Sequence, residues 1–416
     1  MSRIAVFVEC FPPKMGSDRR IYEIMKNIDK QKHTINFIVL PNFRKLIDGT
    51  NMCKFLNKFD KKIEGITVHF INIPQIISKL FKYNYKIAYL LAFPFMLYRS
   101  VKFSSKISPN IILCNYPSIY TGLIGWITGK LLRSYIIMDF NDLIAQYAIS
   151  IMGIKKNSLT ANFLILMQNF LLKNSDKIVT VTYYLKRYAI NLGIKKNIVV
   201  IPNGTDTELF NPIKYNCKIT ALKELKNFYH PCEFFDKFSQ YIKDYNICMY
   251  TGRLEKWAGV ELLVKLSEKF KNTDTILICV GKEEGSPIEF KDTMILLRQV
   301  PYEIIPVLLS LSDVILIPFP RNEVSHAASP LKLFDAMAMA KPVIASKVIG
   351  TMEVISQNEN GLVVEPDNVD EWYTAILNIL KNKSLAIEMG KRARNIVVNK
   401  YDWRILAKKF EELLDK

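Results

Sequence analysis

Histidine and cysteine are both scarce in this chain, and neither forms a group. The four histidines, His33, His69, His230 and His326, have no Cys or carboxylate partner at the spacing of metal ligands. The seven cysteines are widely separated and include no Cys-x-x-Cys pair, which argues against a zinc site and a disulfide framework. Several lie in apolar runs, where a reduced thiol packs as a small core residue. We therefore expect a reducing, cytoplasmic environment and no bound metal.

Long hydrophobic runs are also missing. The longest apolar stretches, residues 87–98 and 161–172, fall short of the roughly 20 residues that cross a bilayer. The apolar run at residues 3–8 is too short for a signal peptide and predicts a buried strand instead. We expect a soluble protein, or one that binds peripherally at the cytoplasmic face of a membrane.

Acidic residues are too few to balance the basic ones, with 39 Asp and Glu against 57 Lys and Arg and a net charge of +18. Such an excess predicts an anionic partner. The lysines are scattered, and the sequence has no zinc-finger spacing or aromatic RNA-binding motif. We therefore interpret the charge first as a general surface property, second as attraction to membranes or phosphates, and only third as nucleic-acid binding. No nucleic acid is expected among the partners.

Apolar runs alternate with helical patterns in two successive series, which is typical of α/β domains with parallel sheets. The predicted strands are 3–8, 34–40, 66–71, 111–114, 135–138, 177–181 and 197–201, then 247–251, 275–280, 313–318 and 342–345. The predicted helices include 19–28, 259–270, 302–311 and 330–340, with 370–415 entirely helical. Residues 211–245 are predicted to be an irregular linker with an insertion. In such sheets, ligands bind beyond the carboxyl ends of the strands.

The strongest local pattern in the second half is Ser329-Pro-Leu-Lys-Leu-Phe-Asp335. Ser329 is a good N-cap and Pro330 a good first helical residue, so a helix start with free N–H groups is predicted here. Such a start favours an anion such as a diphosphate, and Lys332 adds positive charge. Asp335 can accept hydrogen bonds from ribose hydroxyls. An ordinary capped helix, whose Asp offsets the dipole, fits the local sequence equally well.

A second pattern, Tyr250-Thr-Gly-Arg-Leu-Glu-Lys-Trp-Ala-Gly259, follows a predicted strand. Gly252 permits a turn that leaves Arg253 at the end of the strand, where a guanidinium can hold a diphosphate through two hydrogen bonds. For an arginine taken alone, an ordinary surface position is the better interpretation. Lys256 and the Val280-Gly281 pair are weaker signals of the same kind.

These patterns resemble the donor-binding domain of the family-4 glycosyltransferases, which have the GT-B fold. The matching segments are 252–263, 280–281, 311–318, 329–338, 341–346, 353–355 and 360–364. The resemblance implies two Rossmann-like domains that face each other across a cleft. Residues 1–205 would form the acceptor domain and 206–396 the nucleotide-sugar domain, with a helix at about 397–416 packing back on the first domain.

The resemblance also implies roles for individual residues. Arg253 resembles the diphosphate-binding arginine, and Lys256 would substitute for a family lysine where this chain has Ala258. Asp335 occupies the place of the glutamate that binds the ribose. The segment with Ser329, Pro330, Leu331 and Lys332 would meet the donor, as would Gly252 and Gly281. Ala327 stands where the family carries a second carboxylate.

The first half resembles the family more loosely. The loop that contains Gly16 and Ser17 resembles the family's glycine-rich loop beside the acceptor. Asn141 and Asp142 lie in a stretch where many members carry an Asp-His-Asp pattern, and Asn141 replaces the His. Asn203-Gly-Thr-Asp206 matches a turn at the domain junction, where Asp206 is also expected to cap the turn itself.

The implied activity is that of a retaining hexosyltransferase in glycan biosynthesis. It would move a hexose from a nucleoside diphosphate sugar to a hydroxyl of a glycan or lipid-linked saccharide. Because the sequence contains no Asp-x-Asp, no metal-bridged diphosphate and no cofactor are expected. Three alternatives stay open: a non-catalytic sugar-nucleotide-binding or partner subunit, suggested by Ala327 and Asn141; a nucleic-acid-binding protein; and a GT-B epimerase.

Residues 83–101 are aromatic and apolar, with Lys82, Lys86, Arg99 and Lys102 at their flanks. This composition is typical of a segment that lies at the interface of an anionic membrane. The alternative is a buried helix kinked at Pro94.

Overall fold

The computed structural model describes residues 1–13, 16–41, 61–80, 83–118, 120–151, 153–215, 217–229, 233–283 and 286–414. These residues form two compact units, one of residues 1–202 with 403–416 and one of residues 203–402. The sequence placed the boundaries at 205/206 and 396/397. Cys53, Lys82, His230 and Cys232 lie outside the described residues.

The first unit is an eight-stranded sheet with helices on its faces. Its strands are β1 (Ser2–Val8), β2 (His33–Val39), β3 (Lys61–Ile63), β4 (Ile66–Phe70), β5 (Ile111–Asn115), β6 (Tyr135–Phe140), β7 (Lys177–Thr180) and β8 (Ile198–Val200). Their order is β3-β4-β2-β1-β5-β6-β7-β8, and every neighbouring pair is parallel except β3 with β4. The helices are α1 (Gly16–Asn27), α2 (Gln75–Leu80), α3 (Tyr85–Ile107), α4 (Thr121–Leu132), α5 (Ile144–Ile151), α6 (Leu159–Asn174) and α7 (Tyr183–Asn191).

The second unit is a seven-stranded sheet of the same kind. Its strands are β9 (Asn246–Thr251), β10 (Thr275–Lys282), β11 (Ile288–Lys291), β12 (Met294–Arg298), β13 (Val314–Ile317), β14 (Val343–Ser346) and β15 (Leu362–Val364), in the order β11-β12-β10-β9-β13-β14-β15. Its helices are α8 (Lys218–Tyr229), α9 (Phe235–Asp244), α10 (Val260–Lys269), α11 (Ile305–Leu311), α12 (Glu323–Ala327), α13 (Leu331–Ala338), α14 (Ile349–Met352), α15 (Val369–Lys381) and α16 (Lys383–Lys400). The last helix, α17 (Trp403–Glu411), packs against α1 of the first unit.

The predicted class of two parallel α/β domains is confirmed, because the central strands are short apolar runs that the fold buries on both faces. Ile4–Val8 and Val314–Ile317, for example, are almost completely buried. The strands missed by the prediction include the edge strands β3 and β11. Charged residues such as Lys62 and Glu289 interrupt their apolar pattern, as is common for edge strands.

The prediction of irregular structure for residues 211–245 is wrong for most of this segment. Helices α8 and α9 occupy it and bury Ala221, Leu225 and Tyr229 in one case and Phe238 and Ile242 in the other. These side chains recur at helical spacing and join the core of the second unit. The many lysines conceal this pattern because they occupy the solvent faces of the same helices.

Residues 370–415, predicted to be entirely helical, contain three helices. Asn382 ends α15 and caps α16, with its side-chain oxygen accepting from the N–H of Leu385 at 3.0 Å. Near the end of α16 the chain turns at Asp402, whose carboxylate accepts from the hydroxyl of Thr207 at 2.6 Å. The break before α17 therefore coincides with the return of the chain to the first unit.

Candidate active site

The site begins where three neighbouring strands of the second sheet end. Strands β10, β9 and β13 are adjacent and parallel, so the segments that follow them meet at one edge. Gly281 has φ of +145°, and a Cβ atom there would lie 1.9 Å from the carbonyl oxygen of Gly252. The N–H of Gly252 donates to the carbonyl of Val280 at 2.8 Å. Backbone packing thus requires glycine at 281, and a φ of +137° favours glycine at 252.

Gly259 allows a similarly close backbone contact at the end of the third strand. Its φ is +85°, and a Cβ atom would lie 1.5 Å from the carbonyl oxygen of Pro318, the residue after β13. Helix α10 begins at the next residue, Val260. The contact seats the start of α10 directly against the end of β13.

Lys332, in the first turn of α13, reaches this edge. Its ammonium lies 4.0 Å from the centre of the Tyr250 ring and 5.7 Å from that of Phe319. A Cβ atom on Gly252 would lie only 2.8 Å from Nζ. Burial lowers the pKa of Lys332 to about 7, and the thiol of Cys279 opposes the shift only in part. No carboxylate of the described ranges forms an ion pair with Lys332, so a bound anion would favour its protonated form.

The helix start beside Lys332 differs from the prediction by one residue. The N-cap is Pro330, in an extended conformation, and no side chain caps α13. Ser329 does not cap the helix; its carbonyl oxygen accepts from the side-chain amide of Asn203 at 2.5 Å. Pro330 has ψ of 124°, which is extended rather than helical, so the helix starts at Leu331. The first N–H groups of a helix have no intrahelical partners wherever the helix begins, so that part of the prediction is unchanged.

Asp335 is buried in the second turn of α13. One carboxylate oxygen accepts hydrogen bonds from the hydroxyl of Thr205 at 2.6 Å and from that of Tyr302 at 2.9 Å. This arrangement differs from the alternative of an Asp that offsets the helix dipole, because that effect fades beyond the first turn. Neither partner of Asp335 was predicted: Thr205 is the variable position of the matched turn 203–206, and Tyr302 lies in no motif.

The turn at Asn203–Asp206 has two functions in the structure. Asn203 and Thr205 bond to the Ser329–Asp335 segment, as described above. Asp206 accepts from the N–H groups of Glu208 at 2.9 Å and Leu209 at 3.0 Å. The prediction that Asp206 caps its own turn is confirmed. The turn also braces the segment that carries Lys332 and Asp335.

The two remaining predicted cations differ in their surroundings. Arg253 directly follows Gly252 and is 38% exposed, with one guanidinium nitrogen 3.4 Å from Glu255. Its carbonyl accepts from the hydroxyl of Tyr250 at 2.7 Å, which ties it to the ring beneath Lys332. Lys256 is 88% exposed and lies 3.5 Å from Glu261. Its ammonium therefore lies in solvent beside a carboxylate, unlike that of Lys332.

The position of the missing carboxylate, Ala327, is completely buried at the end of α12. The neighbouring His326 accepts the N–H of Ile349 through Nδ1 at 3.2 Å, at the start of α14. Burial lowers the pKa of His326, which favours this neutral, accepting form. A Cβ atom on Gly350 would lie 1.8 Å from the carbonyl oxygen of Ala328, so α12 and α14 are in close contact.

In the first unit, the predicted acceptor residues lie at the carboxyl edge of β1, β5 and β6. Gly16 and Ser17 form the start of α1 rather than a loop, since the helix begins three residues earlier than predicted. Arg20, in the same helix, forms a buried ion pair with Asp139, with 3.1 Å between Nε and Oδ2. The amide of Asn141 donates to Asn115 at 2.8 Å and to Asp139 at 3.3 Å.

Two carboxyl groups at this edge are only partly exposed. Burial raises the pKa of Asp142 to about 7, although the N–H of Leu143 donates to it at 2.8 Å. Burial also raises the pKa of Glu9 to about 7, against the effect of a hydrogen bond from Tyr116. Glu9 was not among the predicted residues, because a lone Glu after a strand carries no motif.

Two family matches cover most of the chain. Residues 15–209 match the family described as Glycosyltransferase Family 4, and residues 233–396 match Glycosyl transferases group 1. An uncharacterized glycosyltransferase of Methanocaldococcus jannaschii is 23% identical over 63% of this chain and 64% of its own length. A GDP-mannose-dependent alpha-(1-6)-phosphatidylinositol monomannoside mannosyltransferase of Mycolicibacterium smegmatis is 22% identical over 58% of this chain. The matched part spans 62% of that enzyme's length, so the likeness covers less than two thirds of either relative.

Solved structures resemble the whole chain. Sucrose-phosphate synthase from Thermosynechococcus elongatus has a TM-score of 0.72 at 19% identity, covering 99% of this chain and 98% of its own. HepE of Anabaena, solved in complex with UDP-glucose, has a TM-score of 0.68 at 16% identity, covering 100% and 99%. At these identities the likeness establishes the fold, which is GT-B. Together with the two family matches, it shows that the chain belongs to the family-4 glycosyltransferases.

Proposed function

We propose that the protein is a retaining glycosyltransferase. It moves a hexose from a nucleoside diphosphate sugar to a hydroxyl of a glycan or lipid-linked saccharide. The observation that carries the proposal is the Lys332 ammonium, which lacks an ion-pair partner among the described residues and lies beside Gly252, the residue before Arg253.

The donor diphosphate is the anion that best fits this edge. It would bring two phosphates to the uncapped start of α13, where N–H groups and the helix dipole favour negative charge. Lys332 would become fully protonated as the anion approaches, because a nearby negative charge raises the pKa of an ammonium. Arg253 would replace its single 3.4 Å contact with Glu255 by contacts to phosphate oxygens. These groups stabilise the charge that develops on the leaving nucleotide.

Asp335 is the proposed ribose contact. The hydroxyls of Thr205 and Tyr302 fix the orientation of its carboxylate, so ribose would meet a group whose rotamer is already set. Lys256 is the other proposed phosphate contact. Its exposed ammonium must leave Glu261 to reach a phosphate, so it should contribute less to binding than Lys332 does.

The acceptor is assigned to the edge of the first unit that carries Gly16, Ser17, Asn141 and Asp142, now with Glu9. Asp142 and Glu9 would accept a proton from, or hydrogen-bond to, a sugar hydroxyl near neutral pH, since the pKa of each is raised to about 7. Retention of configuration rests on the family alone. We also propose that transfer needs no metal, because the chain has no Asp-x-Asp; full activity in excess chelator is the expected result.

The names of the relatives support a nucleotide-sugar donor and are compatible with a lipid-linked acceptor. The mycolicibacterial relative is named for GDP-mannose and a phosphatidylinositol monomannoside, and HepE was solved with UDP-glucose.

The test is a panel of labelled UDP-, GDP- and ADP-sugars with membrane extract as the acceptor source, scored for transferred label. Arg253→Ala and Asp335→Ala are expected to abolish transfer while circular dichroism stays native. Arg392→Ala is the matched control, because Arg392 is also a partly exposed arginine with one carboxylate partner, Glu388 at 3.1 Å. Full activity of either site variant would refute the assigned site.

A second candidate is a non-catalytic sugar-nucleotide-binding or partner subunit. Ala327 favours it, because the family carboxylate is replaced by a fully buried methyl group. The same panel separates the two functions: binding of a nucleotide sugar without transfer of label to any acceptor would favour the subunit.

A further inference from the structure

Helix α3 exposes most of its large apolar side chains and buries mainly small ones, with Met96 as the exception. The buried face consists of Ala88, Ala92, Met96, Ser100 and Ser104, at a spacing of four residues. The exposed large hydrophobic side chains are Ile87, Leu90, Leu91, Phe95 and Tyr98, with Leu90 75% exposed. A surface helix of a soluble domain normally has the opposite arrangement.

Helix α6 also exposes large apolar side chains, although it buries Leu171 and Leu172. Leu159, Phe163, Leu166 and Phe170 recur at helical spacing on its outer face, and Leu159 and Leu166 are 91% and 67% exposed. Each of the two helices has four or more exposed large apolar side chains. That is more than the scattered apolar residues that any protein surface carries.

The two helices belong to one layer, with α4 between them. Helix α4 packs against both α3 and α6. Tyr89 of α3 stacks on Tyr120 at the start of α4, with 4.6 Å between ring centres, and Trp126 of α4 meets Phe170 of α6 edge-on at 5.1 Å. The exposed apolar side chains of α3 and α6, with Leu131 of α4, therefore form one surface, which we call the apolar helix layer.

The charge of this layer has one sign. Residues 65–138 contain eight Lys or Arg and no Asp or Glu, and none of the three helices contains a carboxylate. The exposed cations Lys102 and Lys106 lie in the last turns of α3, and Lys130 and Lys173 lie near the ends of α4 and α6. Basic last turns also suit the helix dipole, but the dipole does not account for the exposed apolar side chains.

We propose that the apolar helix layer docks on the surface of an anionic lipid bilayer. Its large apolar side chains would enter the boundary between headgroups and acyl chains, and its cations would contact anionic headgroups. A bilayer fits better than a second copy of the chain, because two such layers face to face would oppose cation to cation with no carboxylate to pair. Among the described residues, no helix has the length and apolar composition to cross a bilayer, so the docking is peripheral.

The sequence predicted membrane contact for residues 83–101, and the proposed docking surface adds α4 and α6 to that segment. The docking does not depend on transferase activity. It would hold the enzyme beside a lipid-linked acceptor. Within that segment, the side chain of Lys86 lies outside the described residues.

The experiment is co-sedimentation of the full chain with vesicles, without any donor sugar. One set contains phosphatidylcholine alone and the other contains one quarter phosphatidylglycerol. The apolar variant carries Leu90→Gln, Phe163→Gln and Leu166→Gln, and the charge variant carries Lys102→Gln, Lys130→Gln and Lys173→Gln. All six residues are exposed, so the fold should tolerate them, which a thermal melt checks.

Matched controls make the same changes on the second unit. Ile213→Gln, Ile219→Gln and Ile387→Gln replace equally exposed apolar residues, and Lys381→Gln, Lys383→Gln and Lys391→Gln replace exposed lysines. Each basic residue near an anionic leaflet contributes about fivefold to partitioning, so the charge variant should bind roughly 100-fold more weakly. The apolar variant should lose binding to both vesicle types, while the controls bind as the wild type does.

The proposal is overturned if the wild type does not sediment with the anionic vesicles, or if both layer variants bind as well as their controls. It is also overturned if the wild type is a dimer that the apolar variant dissociates while vesicle binding is absent. In that case a second copy covers the layer. Because no donor is present, failure here leaves the transferase proposal intact, and loss of label transfer leaves this one intact.

Discussion

Replacing Lys332 with Met keeps most of the side-chain volume and removes the charge, and we expect two effects of opposite sign. Burial lowers the pKa of Lys332 from 10.5 to about 7. Between these values the unfolded chain binds more protons than the folded one. The folded protein therefore loses stability as the pH falls from about 10.5 to 7, and the variant escapes this loss.

The magnitude follows from the size of the shift. A lowering of about 3.5 pKa units corresponds to an upper limit of about 5 kcal/mol. The side chain is only half-buried, and the variant also loses the contact with the Tyr250 ring, worth about 1 kcal/mol. We therefore expect Lys332→Met to raise the free energy of unfolding by about 1–2 kcal/mol at pH 7.

Binding should change in the other direction. A charged hydrogen bond to phosphate contributes about 1.5–3 kcal/mol, so the Kd for a nucleoside diphosphate should rise about 10- to 150-fold. Because Lys332 is about half protonated in the free protein at pH 7, binding to the wild type should take up roughly half a proton. The variant should take up correspondingly less.

The assay is calorimetric titration with whichever of UDP, GDP and ADP binds the wild type, in two buffers of different ionisation enthalpy. Lys341→Met is the control, because Lys341 is a buried lysine whose pKa is also lowered, to about 8. Its ammonium donates to the carbonyls of Ser310 at 2.8 Å and Ser312 at 2.7 Å. The control should keep its affinity. Wild-type affinity and proton uptake in Lys332→Met would refute the reasoning.

Three further predictions concern the backbone and the first unit. Gly281→Ala should destabilise the protein by more than about 2 kcal/mol in urea and weaken nucleotide binding. Gly193→Ala, which has φ of +79° but open space around its Cβ, should cost only about 1 kcal/mol. Arg20→Met should cost about 3–5 kcal/mol, because it leaves Asp139 buried without its partner; a loss below 1 kcal/mol would contradict this. Asp142→Asn should stabilise the protein by about 1–2 kcal/mol at pH 8 and by nothing at pH 4, because the folded pKa is raised to about 7 and stability falls as the pH rises through it. Equal melting shifts at both pH values would argue against that assignment.

The central strands and the edge of the site could be predicted from sequence because their signals are local. A run such as Val314–Ile317 is apolar over its full length, and Gly252 and Arg253 follow such a run directly. Parallel strands present their carboxyl ends at one edge, so residues after different strands can be assigned to one site without coordinates. The exact start of α13 was missed by one residue because it depends on the ψ angle of Pro330, which the sequence does not specify.

Sequence alone determined the α/β class, the two-part chain and the candidate residues Arg253, Lys332 and Asp335, since apolar periodicity and turn residues act over short distances. Only the tertiary structure decided what surrounds them. The partners of Asp335 come from 130 residues before it, at Thr205, and 33 residues before it, at Tyr302. The pKa of Lys332 depends on how deeply its neighbours bury it, and its ring contacts with Tyr250 and Phe319 come from two other strand ends. The exposed faces of α3 and α6 depend on which side each helix turns to the sheet. Burial and electrostatic environment are properties of packed neighbours, which local sequence does not specify.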